Sequence, residues 1–421
     1  MYFQTAPPEI GIILKLLRWI PFSITAPRGR VALSAEELRA LNWSYLLKIA
    51  ETQRVLGFVA YAIEQNNLLG FLDPRIQTLL TQSLLATQWQ NKIKLDQFTK
   101  IRNSFRENGI LVLPLKGVGL SLSVYRHTPF RPMGDIDCLI QKKDLSKAIT
   151  FLLSQGFRIK PLITKNRWHD APQTQNEFSA EKTTCGRLSF INDEIDLDLH
   201  WAPTYEIGGY ALGINSESMW ARACAAPVAV GAGEELLCDE DLAWHQVLHT
   251  AEMHNPYFVQ ILDIAACMRQ CNTKTGTPFE DRLLYLPEKP KRIIETLLAD
   301  IQALFETNNF SSLPASADQL INFFFLKNKS EHYHGYHTKS AAWLLAAPAF
   351  SFKGVRSRIK YAAGYFVPNP EYYAVKVGDT GFRMYLTHWK DLACKIGRFF
   401  WRKNLKTPGQ FTRKSKLADL P

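Results

Sequence analysis

Two carboxylates separated by one residue stand in the segment RPMGDIDCLI (131–140), inside a run that is otherwise apolar. Side chains alternate between the two faces of a β-strand, so Asp135 and Asp137 share a face, about 6–7 Å apart by the rise of the strand. Like charges at this spacing repel each other, and burying a bare carboxylate is costly. A divalent cation removes both problems because hard cations bind carboxylate oxygens. The pair therefore predicts a metal site.

A later segment, EIDLDLHW (194–201), repeats this alternation. Asp196, Asp198 and His200 share one face of the predicted strand. A third carboxylate on an adjacent strand would complete a site for two metal ions roughly 3.5–4 Å apart, which stabilise the attacking and leaving oxygens of an in-line displacement at phosphorus. Both aspartates are candidates, and His200 either orients Asp198 or packs under the sheet.

Lys116 and Gly117 stand where a short apolar run, ILVLPLKG (110–117), gives way to a helical pattern. Glycine lets backbone approach a ligand closely, and a helix N-terminus presents free N–H groups to phosphate. Lysine contributes a point charge. Arg131, just before the carboxylate strand, is placed to reach the same phosphates. We expect these three residues to bind a phosphorylated ligand, although a lone D-x-D or K-G is more often an ordinary surface feature.

The elements that must position these residues follow from hydrophobic periodicity. Residues 34–108 have a helical pattern that opens with a capping box, Ser34 and Glu37. Residues 101–202 alternate helix and strand, including a hairpin over 187–201, which predicts a small mixed sheet. The pattern then returns to helices. We predict an α+β fold with three parts, listed as a helical region (1–100), the mixed-sheet core (101–202) and a mostly helical region with a basic tail (203–421).

Composition limits the partners and the compartment. The net charge of +11 and the pI of about 9.2 favour an anionic partner. Seven cysteines without regular spacing favour reduced thiols in the cytoplasm. The apolar stretch 10–24 is too short for a bilayer span and contains Lys15 and Arg18, which favours an amphipathic docking helix.

The segment THWKDLACKIGRFFWRKNLK (387–406) is basic, aromatic and amphipathic. It is typical of a solvated surface helix. The same pattern also suits docking on an anionic membrane surface, which would make the protein peripheral to the membrane. Binding of single-stranded nucleic acid is the weakest of the three alternatives.

A pair of histidines, His245 and His249, has the helical spacing of a zinc protease. That mechanism needs a glutamate directly after the first histidine, and Gln246 stands there. We therefore expect a structural helix on which His249 contacts nucleotide or a neighbouring helix.

The order of these motifs resembles the polymerase-β-like nucleotidyltransferase superfamily and, more narrowly, a bacterial family of uncharacterised nucleotidyltransferases. The matching residues are LKG (115–117) with Leu120, then Arg131, DID (135–137) with Leu139, and DLHW (198–201). Softer similarity extends over roughly residues 40–400 and includes His249 and Asp263. Val118 departs from the superfamily, which has a second small residue there, and the segment from Gly117 to Asp135 is longer than usual.

The resemblance implies a metal-dependent enzyme that moves a nucleoside monophosphate from a nucleoside triphosphate, with ATP expected, to an acceptor. The acceptor would be a small molecule, a peptide or a polysaccharide intermediate, and pyrophosphate would leave. Asp135, Asp137 and Asp198 would be the catalytic residues and would hold Mg²⁺ or Mn²⁺, with Asp198 preferred over Asp196 because it stands in the DLHW match. The alternative is a catalytically inactive nucleotide-binding or regulatory protein on the same fold.

Overall fold

The fold is that of a small mixed sheet surrounded by helices, as the α+β expectation has it. The computed structural model describes residues 7–20, 31–125, 130–160, 163–164, 167–168, 187–203, 216–225, 235–252, 256–274 and 288–306, with the single residues 317, 321 and 324. The basic segment 387–406 lies outside this range. Among the described residues, no helix combines the length and apolarity that a membrane crossing needs.

Among the residues that the structure describes, five α-helices precede the sheet. They are α1 (Pro8–Trp19), α2 (Ala35–Arg39), α3 (Trp43–Thr52), α4 (Leu56–Gln65) and α5 (Pro74–Glu107). The predicted capping box is confirmed at α2, where the Ser34 hydroxyl accepts from the Glu37 amide at 3.1 Å and the Glu37 carboxylate accepts from the Ser34 amide at 2.8 Å. Asp73 caps the start of α5 by accepting from the Arg75 amide.

The apolar stretch near the N-terminus forms α1, which packs against α3 and α4 of the same chain. Ile10, Ile13 and Leu14 are fully buried in this contact. The expected docking helix is thus docked on the protein's own helices. Lys15 lies at the edge of this contact and pairs with Glu37 at 3.0 Å, whereas Glu9 is buried and its carboxylate accepts from the Asn42 amide at 2.8 Å.

The central sheet contains five strands in the order β1-β2-β7-β6-β3. The strands are β1 (Leu113–Pro114), β2 (Ile136–Leu139), β3 (Arg158–Ile159), β6 (Arg187–Ile191) and β7 (Asp196–His200). The β2–β7 pair is parallel and the other pairs are antiparallel. Two short hairpins, β4 (Ile163–Thr164) with β5 (Arg167–Trp168) and β8 (Cys224–Ala225) with β9 (Glu235–Leu236), lie outside it.

Two helices belong to the sheet region, α6 (Lys116–Ser123) and α7 (Leu145–Ser154). The strand expected over 110–117 is only the two-residue β1, because the chain turns into α6 at Lys116. Lys116 makes this turn with a backbone φ of 42°, a left-handed conformation that is uncommon for a side chain with a Cβ. Lys116 and Gly117 are therefore the first two residues of the helix.

In the described part of the chain after the sheet, the helices are α8 (Ser216–Arg222), α9 (Asp239–Glu252), α10 (Phe258–Lys274) and α11 (Glu288–Glu306). The helical pattern over 239–270 is confirmed as two helices, α9 and α10, which pack on each other. One hydrophobic core joins α1, α3 and α4 with α9, α10 and α11, and a second core lies between the sheet, α7 and the last turns of α5. The three-part division at residues 100 and 202 stays a prediction.

Candidate functional site

Asp137 and Asp198 lie side by side on the two central strands. Parallel pairing of β2 with β7 places them opposite each other in the register. Their side chains are buried, with 1% and 7% exposed for the whole residues. Leu197 and Leu199 point to the opposite face and are fully buried in the core, which fixes the direction of Asp198. Two neighbouring strands thus hold two carboxylates in the interior with oxygens within 4.8 Å of each other.

His200 completes a compact group of ligand atoms with these two aspartates. Its Nε2 atom lies 3.0 Å from Oδ1 of Asp137. One oxygen from each aspartate and one nitrogen of His200 all lie within 4.8 Å of one another. The histidine contacts Asp137, a partner that neither sequence-based alternative named.

Asp135 stands at the mouth of this group rather than inside it. It precedes β2, is exposed, and does not belong to the three-residue ligand set. The negative charge of Asp137, together with partial burial, raises the pKa of Asp135. The direction of this shift agrees with the repulsion that the D-x-D spacing predicts.

Asp196, the rival third carboxylate, is engaged elsewhere. Its carboxylate pairs with Lys160, and both side chains are 35% exposed. In the strand register it lies opposite Ile191, at the end of the hairpin, whereas Asp198 lies opposite Ser189. The structure therefore brings Asp198, and not Asp196, beside Asp137.

Lys116 is the cation at the site. Its ammonium forms a buried ion pair with Oδ1 of Asp137. A buried carboxylate without a partner would be strongly destabilising, so this contact compensates Asp137 directly. The left-handed backbone at Lys116 is the kind of strain that is found at functional sites.

Asp198 has two polar neighbours on β6. The hydroxyl of Ser189 donates to Oδ1 of Asp198, and Nη1 of Arg187 lies 3.4 Å from its Oδ2. Burial and then the charge of Asp137 raise the pKa of Asp198. Sequence reasoning missed Ser189. A two-residue turn at Asn192 and Asp193 would have paired Ser189 with Asp196, whereas the observed loop spans residues 192–195 and pairs Ser189 with Asp198.

Burial lowers the pKa of His200 well below its usual value, and the charge of Lys116 acts in the same direction. The imidazole is therefore neutral at ordinary pH. A neutral ring can hydrogen-bond to a carboxylate or ligate a metal through its free nitrogen.

Arg131 lies next to Gly117, but its charge is directed at α10. A Cβ atom on Gly117 would come within 3.1 Å of Nη1 of Arg131. The Nε and Nη2 atoms of Arg131 donate to the two oxygens of Asp263, at 2.9 and 2.7 Å. Tyr125 donates to the same carboxylate at 2.9 Å. The role of Arg131 as a phosphate ligand stays a prediction, because its guanidinium is bound to Asp263 in this structure.

His245 and His249 lie on α9 near the same site. Their rings are stacked with centroids 6.3 Å apart and planes 15° apart. Burial lowers the pKa of His249 to about 2, with the charge of Lys116 as the next cause. The two histidines are not part of the ligand set found among the described residues.

The donor set fits a divalent cation. Two buried carboxylates and an imidazole converge, and among the described residues Asp137 is compensated by the ammonium of Lys116 and the ring of His200. A bound cation would neutralise both carboxylates at once. The arrangement is suited to chemistry at phosphorus, where metal-held oxygens develop charge.

The comparison with known protein families gives one match. A family described as uncharacterised nucleotidyltransferase matches residues 39–283, which is more than half of the chain and includes every site residue described above. No curated protein matches the chain.

Proposed function

The chain belongs to the uncharacterised nucleotidyltransferase family, and on this basis we propose that it transfers a nucleoside monophosphate from a nucleoside triphosphate to an acceptor and releases pyrophosphate. The observation that supports this most directly is the pairing of buried Asp137 with buried Asp198 across two parallel strands. Interior carboxylates in contact have no structural advantage over apolar residues unless a cation joins them.

Asp137 and Asp198 are the residues that would hold the divalent ion, Mg²⁺ or Mn²⁺, and Asp135 would add a ligand from the mouth of the site. When bound, the metal would supply charge stabilisation to the phosphoryl oxygens and lower the pKa of an attacking hydroxyl. Asp198 would help to activate the attacking hydroxyl of the acceptor. Ser189 and Arg187 orient its carboxylate for this role.

Lys116 would bind the triphosphate from its place beside Asp137. Its position as the first residue of α6 puts its charge and the first free N–H groups of the helix at the same point. Gly117, the next residue, leaves no side chain between this helix end and a phosphate. Arg131 would contribute positive potential from behind Gly117 while Asp263 holds its guanidinium.

The acceptor is a small molecule, a peptide or a polysaccharide intermediate, and ATP is the expected donor. The second candidate is a nucleotide-binding or regulatory protein without turnover. The buried ion pair of Lys116 with Asp137 favours this candidate in one respect, because it already compensates the carboxylate without a metal.

Turnover separates the two candidates. We expect the full chain to consume nucleoside triphosphate with Mg²⁺ or Mn²⁺ and to add a nucleoside monophosphate to an acceptor, detected by mass spectrometry. Asp137→Asn should lower this activity about 10³-fold, because several kcal/mol of charge stabilisation at the transition state is lost. A variant that keeps most of the activity contradicts the proposal, and nucleotide binding without turnover supports the second candidate.

A further inference from the structure

The nitrogen ligand in the site distinguishes it from an all-carboxylate magnesium site. Nε2 of His200 lies 3.0 Å from Oδ1 of Asp137, and Asp198 contributes the third ligand atom within 4.8 Å. An oxygen and a nitrogen that bind one ion at right angles, each about 2.1–2.2 Å from it, are about 3 Å apart. The observed separation therefore suits two ligands of the same ion.

The orientation of His200 leaves Nε2 at the site. Nε2 is the ring nitrogen that faces Oδ1 of Asp137. An imidazole nitrogen that carries no proton can ligate a metal, so Nε2 is the atom of His200 that would bind the ion.

We propose that Asp137, Asp198 and His200 bind one divalent ion through two carboxylate oxygens and Nε2 of His200, and that the nitrogen ligand makes the site prefer Mn²⁺ to Mg²⁺. Magnesium takes oxygen ligands and water almost exclusively, whereas first-row transition metals accept imidazole and bind N/O sites more tightly. This inference rests on the proposed function for the presence of a metal, and it adds the identity of one ligand and of the preferred ion. The backbone contact of His200 with Ala202 is the support that metal-ligating histidines usually have.

Electron paramagnetic resonance of the full chain with Mn²⁺ tests the ligand directly. The protein is first treated with a chelator and desalted, and then titrated with Mn²⁺. Electron spin echo modulation of the bound ion should show the nitrogen of a directly coordinated imidazole. His200→Gln should remove this modulation and weaken Mn²⁺ binding at least about tenfold, while Mg²⁺ binding, measured by competition, changes less. His249→Gln is the matched control, since it removes a partly buried histidine outside the ligand set, and it should keep the modulation.

The wild-type spectrum is decisive even if His200→Gln does not fold, and His200→Asn provides a second variant. Bound Mn²⁺ without nitrogen modulation, or equal affinity for Mn²⁺ and Mg²⁺, overturns the inference and leaves a carboxylate metal site in place. If neither ion binds to the protein in the presence or absence of nucleoside triphosphate, the metal dependence in the proposed function fails as well.

Discussion

At the scale of single residues, the site is a balance between two buried carboxylates and the groups that compensate them. Asp137 has the ammonium of Lys116 and the ring of His200, whereas Asp198 has a hydroxyl and a more distant guanidinium. Burial and then the charge of Asp137 raise the pKa of Asp198, and the hydrogen bond from Ser189 acts in the opposite direction. We therefore expect the negative charge of Asp198 to lower the free energy of unfolding and to be required for nucleotidyl transfer.

Replacement of Asp198 should move stability and activity in opposite directions. Because the pKa of Asp198 is raised in the folded protein, folding penalises its ionised form. This penalty is absent well below the ordinary carboxyl pKa of about 3.9 and is complete above the raised pKa. In the presence of a chelator, Asp198→Asn should therefore be more stable than the wild type at pH 7, and this advantage should shrink as the pH falls through the raised pKa.

Urea unfolding over a pH series measures the stability difference, and nucleotidyl transfer measures the activity. Asp198→Asn should lower transfer about 10³-fold by loss of metal stabilisation. Asp196→Asn is the control, because its carboxylate pairs with Lys160 at a half-exposed position and should affect transfer little. Equal losses of transfer in the two variants would remove the reason for choosing Asp198.

Sequence alone predicts much at this scale. Alternation within DLDLH places Asp198 on the face opposite Leu197 and Leu199, and the structure confirms that alternation. The direction in which the Arg131 side chain points could not be predicted. Its partner, Asp263, comes more than a hundred residues later, on helix α10.

At the scale of elements, the contact of α10 with the loop before β2 holds the site in place. Arg131 lies in that loop and forms two hydrogen bonds with Asp263 of α10. Asn91 of α5 reinforces the loop by donating to the Arg131 carbonyl at 2.8 Å and accepting from the Met133 amide at 3.2 Å. The segment that leads into Asp135 and Asp137 is thus fixed by two helices.

Removal of Asp263 should destabilise the protein strongly. Asp263→Ala leaves the buried guanidinium of Arg131 without its carboxylate, which costs about 3–5 kcal/mol in comparable cases. Asp96→Ala, which breaks the exposed pair with Lys92, is the matched control and should cost under about 0.5 kcal/mol. Chemical denaturation measures both values. A loss for Asp263→Ala no larger than that of the control would mean that this contact does not hold the loop.

The sequence predicts the elements with strong hydrophobic periodicity, but it does not predict where β1 ends and α6 begins. Strand β2, the β6–β7 hairpin and α7 follow from periodicity within short windows. The length of β1 and the left-handed start of α6 depend on where the chain must turn to bring Lys116 to Asp137. That requirement is tertiary, so it has no local signal.

At the scale of the whole molecule, helices that precede the sheet in the chain and helices that follow it share one hydrophobic core. Helix α1 and helices α9 to α11 bury their apolar faces in a common core. Helix α5 runs through residue 100, and its residues Phe98, Ile101 and Phe105 pack under the sheet. The predicted boundary at residue 100 therefore falls within a helix that packs against the sheet.

A fragment of residues 101–202 should consequently fail to fold on its own. It lacks Phe98 and most of α5, and it exposes the face of α6 that packs on α9. We expect a fragment without a cooperative thermal transition by circular dichroism, whereas the full chain should show one. A fragment that melts cooperatively with dispersed amide signals would instead support residues 101–202 as an independent domain.

Calorimetric titration of Mg²⁺ or Mn²⁺ into the full chain, with a non-hydrolysable nucleoside triphosphate present, bears most directly on whether Asp137 and Asp198 hold a cation. We expect the wild type to bind the ion and Asp137→Asn to lose at least about tenfold in affinity, because an ionised carboxylate ligand becomes a neutral amide. Metal affinity that is the same in the wild type and in Asp137→Asn would contradict the assignment of this carboxylate pair as the metal site.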